Sequence, residues 1–304
     1  MPDLNLNPFT LIIIAGPTAV GKTRFAIELA EHLRTEIISA DSRQFFKELN
    51  IGTAKPSEEE LQAVPHHFIG QLSIHDYYNV SRYEQDVMEI LSSLVRKHQY
   101  VIMTGGSGLY IDAVCRGVDD FPDPDPELRS YLKGLLADEG IEKLQEILKL
   151  KDPDYYITVD LANPNRLIRA LEVTMATGVP FSSQRMNQPR QRNFNIIKIG
   201  LELPRQELVG RIHFRVDQMI ENGLIDEARE LYIYKHLNAL NTVGYKELFE
   251  YFDGYVTLEQ AIENIKTHTR RYAKRQLTWF RKDKEYKWFG PGDVQEVLEL
   301  IKSL

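Results

Sequence analysis

Cysteine is almost absent from this sequence, since Cys115 is the only one among 304 residues. An intrachain disulfide is therefore excluded, and so is a zinc site that needs two or more thiolates. We expect Cys115 to be a small buried apolar side chain. The adjacent His66 and His67 give poor geometry for one metal and are expected to make structural contacts. Because reducing compartments keep proteins free of disulfides, this composition favours a cytoplasmic protein.

Long apolar runs are absent as well. The run from Phe9 to Ala15 ends at a glycine motif and is far shorter than the roughly 20 residues that span a bilayer. Residues Met1 to Asn7 lack the basic segment with which a secretory signal begins. We therefore expect a protein that is neither secreted nor inserted in a membrane.

The chain has no overall excess of positive charge, because 37 Lys and Arg oppose 44 Asp and Glu for a net charge of −7. Taken globally, this balance argues against a non-specific nucleic-acid binder and favours an enzyme that acts on small molecules. Locally, Lys266 to Lys287 holds nine basic residues against two acidic ones, a net charge of +7, with Tyr272, Trp279 and Phe280 interleaved. This pattern fits either an RNA-backbone contact or a solvated amphipathic helix. In both cases Trp279 and Phe280 are expected in the core.

The order of the segments predicts an α/β fold. Thr10 to Ala15 is typical of a buried parallel strand, Lys22 to Leu33 of a helix and Glu36 to Ala40 of a second strand. A strand, a glycine loop, a helix and a strand in this order predict a P-loop NTPase-like core with a parallel sheet. Further strands are predicted at Tyr100 to Thr104, Ile196 to Leu203 and Glu285 to Phe289. Further helices are predicted at Val80 to His98, Arg205 to Asn222, Leu224 to Tyr234 and Leu258 to Arg281.

A helical insertion is predicted to interrupt this core. Phe121 to Pro126 carries three prolines and breaks any helix. The following stretch, Glu127 to about Thr177, is helical in pattern, with Leu144, Ile147 and Leu150 as expected core residues. We predict a catalytic core of residues 1–117 and 195–304 and an inserted all-helical domain of residues 118–194.

The segment GPTAVGKT matches the phosphate-loop pattern G-x-x-x-x-G-K-[ST], with a strand before it and a helix after it. Its backbone N–H groups and the helix N-terminus favour phosphate oxygens. The lysine can reach a terminal phosphate, and the last hydroxyl can hold Mg²⁺. The motif therefore predicts an oligophosphate ligand without specifying ATP. Its members are Gly16, Pro17, Thr18, Ala19, Val20, Gly21, Lys22 and Thr23.

Asp41 directly follows the second strand. Ligands of open α/β sheets bind beyond the carboxyl ends of the strands, so Asp41 is expected near the phosphate loop. It could act as a general base, as a magnesium partner or simply as a capping residue. The third strand ends in Thr104 and two glycines, without an acid. This favours a reaction in which the phosphates leave over NTP hydrolysis, and Thr104 becomes a catalytic candidate.

Eight segments, spread over nearly the whole chain, carry a more specific signal. They are GPTAVGKT (16–23), ISADSRQ (38–44), IGTAKPS (51–57), GGSGLY (105–110), NRLIRALEV (165–173), RIHFRVDQMIENGLIDE (211–227), NTVGYKE (241–247) and KRQLTWFR (274–281). In content and order they resemble the bacterial tRNA dimethylallyltransferases, or isopentenyltransferases. IGTAKP and KRQLTWFR are not general features of phosphate-loop proteins. The chain departs from the family at Phe45, Phe46 and Lys47, where only packing is expected to change.

The resemblance implies transfer of a dimethylallyl group from dimethylallyl diphosphate to N6 of adenosine 37 in tRNA, with Mg²⁺ assisting and diphosphate released. It implies that Asp41 is the general base on the N6 amine and that Arg215 binds the diphosphate. Thr18, Lys22 and Thr23 would hold the diphosphate and Mg²⁺. Direct displacement and a dissociative, allyl-cation-like route both stay open.

The resemblance also implies contacts with the anticodon stem-loop of tRNA, with the adenine flipped out of its stack. Because this partner is large and asymmetric, we expect the protein to be a monomer. Two other classes stay open. A small-molecule kinase would use ATP and would not need the basic helix, and a non-catalytic RNA-binding protein would carry a vestigial loop. The expected tRNA contacts are Asp41, Ser42, Arg43, Gln44, Ser107, Arg129, Asn165, Arg166, Leu167, Ile168 and Arg169, together with Lys274 and Arg275.

Overall fold

The computed structural model describes residues 9–119, 121–123, 125–185 and 188–304. The chain divides into two compact units. The core unit comprises the residues up to Arg116 and from Gln191 onward, and the helical unit comprises Gly117–Arg190. Met1 to Asn7 lie outside the described residues, as does Pro124 of the predicted proline break. Within the described part of the chain, no helix combines the length and the apolar character needed to cross a membrane.

The core unit contains one sheet of six parallel strands in the order β3-β2-β4-β1-β5-β6. All residues of β1 are buried, as expected for a strand whose two faces are both covered. Its neighbours are in register, with Ile12 opposite Ile102 and Ile197. The strands are β1 (Thr10–Ala15), β2 (Ile37–Ser39), β3 (His66–His67), β4 (Tyr100–Gly105), β5 (Asn195–Leu201) and β6 (Lys287–Phe289).

Helices of the core unit pack on both faces of this sheet. The odd residues of β1, such as Leu11 and Ile13, join one buried cluster, whereas Ile12 and Ile14 join another with α1. The helices before the insertion are α1 (Lys22–Leu33), α2 (Glu58–Ala63), α3 (Val80–Leu94) and α4 (Gly108–Arg116). Those after it are α10 (Arg205–Glu221), α11 (Leu224–Leu231), α12 (Tyr245–Phe252), α13 (Leu258–Phe280) and α14 (Val294–Ser303).

The helical unit has a core of its own. Leu132, Leu144 and Leu148 are fully buried there, together with apolar residues of α8. The prediction for Leu150 was wrong, because this side chain is 86% exposed at the outer face of α6. The helices of this unit are α5 (Pro126–Glu139), α6 (Ile141–Lys151), α7 (Pro153–Tyr156), α8 (Pro164–Thr177) and α9 (Phe181–Gln184).

Several local predictions are confirmed. Cys115 is buried, and burial raises the pKa of its thiol to about 12. The Nε2 atom of His67 lies 2.7 Å from a carboxylate oxygen of Glu36, which is a structural contact. Phe45 is buried and stacks on Tyr83, so the departure from the family at this position is absorbed by packing.

Other predictions need correction. Trp279 is 38% exposed, and its indole N–H donates to Asp112 at 2.9 Å, whereas the adjacent Phe280 is in the core as expected. The short strand β3 was missed because its two histidines carry no apolar pattern. The C-terminal helix α14 was missed as well, and α3 ends at Leu94, four residues before its predicted end.

Candidate functional site

The phosphate loop, Gly16–Thr23, connects β1 to α1 and is built as its sequence predicts. Gly21 begins the helix with a φ of 108°, a left-handed conformation that favours glycine. The Nζ atom of Lys22 donates to the carbonyl of Pro17 at 2.8 Å, so the side chain folds back over the loop. Burial and, to a smaller extent, the positive charge of Arg215 lower the pKa of Lys22 to about 8, against the opposing effect of the Asp41 carboxylate.

A cavity of about 370 Å³ opens beside this loop, and we call it the loop cavity. Of the predicted site residues, the structure brings Asp41, Thr104 and Arg215 together in its wall. Other members of the phosphate loop are buried beneath it, namely Gly16, Pro17 and Val20. The loop residues in the wall are Thr18, Ala19, Gly21, Lys22 and Thr23.

A second cavity, of about 500 Å³, lies between the loop after β2 and helices α10, α12 and α13, and we call it the helix cavity. Its wall is rich in cations, which makes it a suitable environment for a polyanion. Glu247 and His268 also line it. The cationic residues of the wall are Arg43, Arg215, Lys246, Arg271 and Arg275.

Asp41 lies where the two cavities meet, because it lines both of them. One of its carboxylate oxygens, Oδ1, accepts the backbone N–H of Arg43 at 3.1 Å. The segment after Asp41 is a turn and not a helix, so this oxygen caps a turn, and that bond does not compete with a role at the cavities. The other residues shared by the two walls are Thr18, Thr53, Arg215 and Tyr272.

Arg215 is the best placed arginine of α10. Burial lowers the pKa of its guanidinium, while the carboxylates of Asp41 and Glu60 act in the opposite direction. Arg211, one turn earlier, lines only the loop cavity. Its guanidinium also pairs with Glu207 at 2.9 Å, so Arg211 is the weaker candidate for an anion ligand.

Thr104 has part of its hydrogen-bonding capacity in use. Its Oγ1 donates to the carbonyl of Ile14 in the neighbouring strand at 3.1 Å. The hydroxyl hydrogen is therefore committed to the sheet, and the oxygen can still accept a hydrogen bond.

The polar residues that follow Asp41 are held by contacts within the core unit. The backbone N–H of Ser42 donates to Oγ of Ser107 at 3.0 Å, so two predicted tRNA contacts lie side by side. The guanidinium of Arg43 donates to the carbonyls of Asn238 and Ala239 at 2.9 and 3.2 Å. Arg43 thus anchors a neighbouring loop as well as lining the helix cavity.

The side chain of Gln44 stabilises the loop that contains Thr53. Its Nε2 donates to the carbonyls of Thr53 and Ala54 at 3.2 and 3.1 Å. Gln44 and Thr53 both line the loop cavity, so this bond fixes part of its wall.

The predicted tRNA contacts of the helical unit differ in exposure. Asn165 and Arg166 are exposed on α8, whereas the side chains of Leu167 and Ile168 are buried in the core of the unit. Apolar residues at this helical spacing face the core, so the predicted contact of Leu167 and Ile168 with RNA stays a prediction that their buried side chains do not support.

Arginines of the helical unit surround a buried carboxylate. Arg129 binds Glu172 with two hydrogen bonds, of 2.5 and 3.1 Å, and Arg169 lies 3.7 Å from the same carboxylate. Glu172 is only 1% exposed. Arg129 and Arg169 therefore balance a buried charge in addition to any contact with RNA.

The basic stretch near the C-terminus forms most of α13 and the turn after it. Lys274 and Arg275 are exposed, and Arg275 lines the helix cavity. Other basic residues are already paired, because Lys266 lies 2.8 Å from Asp217 and Arg281 lies 2.7 Å from a carboxylate. The local charge available to a ligand is therefore smaller than the sequence count.

Sequence reasoning missed several residues that line the cavities, among them Thr53, Tyr272 and Gln276. Tyr272 and Gln276 are four residues apart on α13, and so are Arg271 and Arg275. Residues four apart lie on one face of a helix. This spacing could have indicated that these residues share one face of α13, but the many charged residues of the segment obscure the pattern.

A family model described as IPP transferase matches residues 44–283 of the chain. The tRNA dimethylallyltransferase of Christiangramia forsetii is 58% identical over 294 residues, which cover 96% of this chain and 97% of that protein. The tRNA dimethylallyltransferase 1 of Bacteroides thetaiotaomicron is 50% identical over 293 residues, which cover 96% of this chain and 95% of that protein.

Solved structures agree with these relatives. The full-length tRNA isopentenylpyrophosphate transferase of Bacillus halodurans has a TM-score of 0.71 and 36% identity, covering 97% of this chain and 96% of that one. A eukaryotic dimethylallyltransferase acting on tRNA has a TM-score of 0.73 and 28% identity, covering 90% of this chain and 70% of that one. Because the family model and the relatives match most of its length, the chain belongs to the IPP transferase family.

Proposed function

We propose that this protein transfers a dimethylallyl group from dimethylallyl diphosphate to N6 of adenosine 37 in tRNA and releases diphosphate. The observation that carries the proposal is the position of Asp41, which lines both cavities. The loop cavity offers a phosphate loop, and the helix cavity offers a cationic wall. A carboxylate at their junction meets both the allylic carbon and the amine.

The chemistry balances with one base and one leaving group. A bond forms between N6 and the first carbon of the allyl group, and the bond from that carbon to the diphosphate oxygen breaks. The electron pair of the broken bond leaves with the diphosphate, and the N6 proton passes to Asp41. Since Oδ1 of Asp41 accepts the Arg43 N–H, we assign the proton to Oδ2. An aromatic amine is a weak nucleophile, so removing its proton as the bond forms favours the reaction.

Cations in the loop cavity suit the charge that develops on the leaving group. Lys22 and Arg215 both lie in the electrostatic field of Asp41. A guanidinium fork and an ammonium held in place before the reaction stabilise a diphosphate without reorganisation. We assign Thr18 to the same ligand, and we keep Thr104 as a catalytic candidate whose hydroxyl oxygen accepts a hydrogen bond at the edge of the cavity.

Mg²⁺ is part of the proposal as a partner of the substrate. Among the described residues, no group of three or more His, Cys, Asp or Glu side chains is arranged to hold a metal ion by itself. Mg²⁺ commonly binds few protein oxygens and takes the others from substrate phosphates and water. The hydroxyl of Thr23 in the loop cavity fits this donor set. When bound there with diphosphate oxygens, Mg²⁺ neutralises charge on the leaving group.

On the RNA side, we propose that adenosine 37 leaves the anticodon-loop stack and enters the helix cavity. Unstacking a base costs a few kcal/mol, and less for an unpaired loop base. Ser42, Arg43, Gln44 and Ser107 then lie beside the nucleotide. The RNA backbone contacts we propose are Lys274 and Arg275 in the core unit and Arg129, Asn165, Arg166 and Arg169 in the helical unit.

Two further statements belong to the same proposal. The protein acts as a monomer, because its large partner is an asymmetric RNA. It works in the cytoplasm, because a chain with a single cysteine, Cys115, cannot form the intrachain disulfides that are typical of proteins in oxidising compartments.

The deciding experiment incubates the purified protein with unmodified tRNA, dimethylallyl diphosphate and Mg²⁺, followed by mass analysis of the nucleosides. The expected product is N6-dimethylallyl adenosine at position 37, with one diphosphate released for each modified base. A matched reaction with ATP in place of dimethylallyl diphosphate and a mixture of metabolites in place of tRNA should give no phosphorylated product. Phosphorylation of a metabolite would establish the kinase alternative, and RNA binding without any modification would establish the non-catalytic one.

A further inference from the structure

Gln276 makes two hydrogen bonds that connect α13 to the loops at the carboxyl edge of the sheet. Its Oε1 accepts the backbone N–H of Thr18 in the phosphate loop at 2.8 Å. Its Nε2 donates to the carbonyl of Gly106 at 2.9 Å. The side chain is only 6% exposed, so both groups depend on these partners. The amide of Gln276 thus satisfies one group from each of two loops.

The amide of Gln276 fits against residue 106 because that residue is a glycine. A Cβ atom added to Gly106 would lie 2.1 Å from Nε2 of Gln276. The two loops held by the amide follow neighbouring strands, since β1 and β4 pair with Ala15 opposite Gly105. Gln276 therefore bridges the ends of two adjacent strands from a third element.

The third element is the same helix that lines the helix cavity. Arg271, Tyr272 and Arg275 reach that cavity from α13, and Gln276 is the next residue along the chain. One helix consequently holds the RNA-facing cations and the phosphate loop at a fixed distance from each other. In addition, the N–H of Thr18 is occupied by Gln276 and that of Val20 donates to the carbonyl of Pro17 at 3.4 Å, so phosphate oxygens are left to the other amides of the loop.

We propose that Gln276 is a positioning residue that sets the place of the phosphate loop relative to α13, and so the distance between the allylic carbon and the RNA amine. This inference rests on the proposed function. It predicts that loss of the two hydrogen bonds impairs donor binding and the chemical step, because reacting atoms misplaced by about 1 Å can cost about 100-fold in rate. Binding of RNA, which uses the outer residues of α13, should be almost unchanged.

The test replaces Gln276 with Met, which has a similar length but forms neither hydrogen bond. The matched control is Gln295→Met, an exposed position on α14. For Gln276→Met we expect a KM for dimethylallyl diphosphate about 10-fold higher and a kcat about 10-fold lower, following the loss of two buried hydrogen bonds. The Kd for tRNA should change by less than about twofold. Binding of inorganic diphosphate, measured by calorimetry, should weaken in parallel with the KM.

A second variant, Gln276→Glu, keeps the acceptor for the Thr18 N–H but turns a carboxylate oxygen towards the carbonyl of Gly106. Its negative charge lies in the wall of the loop cavity and repels diphosphate, so it should lose more donor affinity than Gln276→Met as well as kcat, with the Kd for tRNA within about twofold of wild type, and it decides the matter if the Met variant does not fold. Wild-type values of KM and kcat in the folded variant would overturn the inference. A similar fold-loss of affinity for donor and for tRNA, together with a lower melting temperature, would also overturn it, because this result indicates a general structural role. Failure of the wild-type protein to modify tRNA would instead contradict the proposed function.

Discussion

The backbone N–H of Arg43 donates to Oδ1 of Asp41 at 3.1 Å, and this bond fixes the carboxylate at the junction of the two cavities. The same arginine uses its side chain to hold the carbonyls of Asn238 and Ala239. The turn that orients the proposed base is therefore anchored at both its backbone and its side chain.

Asp41→Asn should separate catalysis from binding. The amide retains an oxygen for the Arg43 N–H but cannot take a proton from the amine. We expect turnover to fall by about 10² to 10⁴, the range for loss of a general base, while the Kd for tRNA changes by less than about threefold. Single-turnover kinetics and filter binding measure the two effects. The control is Asp226→Asn, an exposed residue of α11, and comparable losses in turnover and affinity would mean that Asp41 is a binding residue.

Arg215 and Arg211 provide a matched pair on α10, one turn apart. Only Arg215 lines both cavities, and Arg211 is partly engaged with Glu207. Replacing Arg215 with Gln should lower kcat by about 10² to 10³, as for loss of one preorganised donor to a developing negative charge. The same change at Arg211 should cost less than about 10-fold. Steady-state kinetics with saturating tRNA compare the variants, and a larger effect at Arg211 would reverse the assignment.

The pKa of Lys22 predicts how kcat/KM for dimethylallyl diphosphate changes at alkaline pH. Burial brings the pKa of its ammonium down to about 8 in the free protein, so the proton is lost as the pH rises through that value. Because the charged form binds diphosphate, kcat/KM for dimethylallyl diphosphate should decline above about pH 8, since this parameter reports groups of the free enzyme.

The control for this profile is Lys22→Arg, whose guanidinium stays protonated over the whole range. It should have a lower but flat kcat/KM between about pH 7 and 9.5. If the decline persists unchanged in this variant, a group other than Lys22 is responsible.

The basic helix predicts a salt dependence. Neutralising both Lys274 and Arg275 with Gln should weaken tRNA binding and reduce the slope of log K against log salt by about 1.4 to 1.8 if each residue contacts one phosphate. Titrations at several salt concentrations measure this slope. Lys97→Gln with Lys302→Gln, two exposed cations that line neither cavity, should leave it unchanged. An unaltered slope in the first variant would remove this part of α13 from the interface.

Leu144 and Leu150 form a matched pair for stability within α6. Leu144 is fully buried and Leu150 is 86% exposed. Leu144→Ala should destabilise the helical unit by about 2 to 5 kcal/mol, whereas Leu150→Ala should change its stability by less than about 0.5 kcal/mol. Hydrogen exchange of the amides in α5, α6 and α8 reports on this unit alone. Similar exchange in the two variants would contradict the described packing.

Features encoded in short segments were predictable from the sequence. The phosphate loop and Asp41 depend on a strand, a glycine pattern and the next strand, all within a few tens of residues. Gln276 could not be found in this way, because its role comes from Thr18 and Gly106, which are distant in sequence. Leu150 was wrongly predicted to be in the core, because its apolar side chain was given more weight than its position on the exposed face of the helix.

The strand β6 determines which backbone groups are exposed at one edge of the sheet. It pairs with β5 through Ile199, Gly200 and Leu201, and the ring of Trp288 occupies the space above Gly200, where a Cβ would lie 2.6 Å from it. The polar turn that follows α13 therefore leads into the strand that forms this edge of the sheet. Such an edge has unpaired backbone groups that can recruit a strand from another molecule. Because β6 has three residues and β5 has seven, the edge that β6 forms offers fewer unpaired groups for self-association than β5 alone would, although β6 lies outside both cavities.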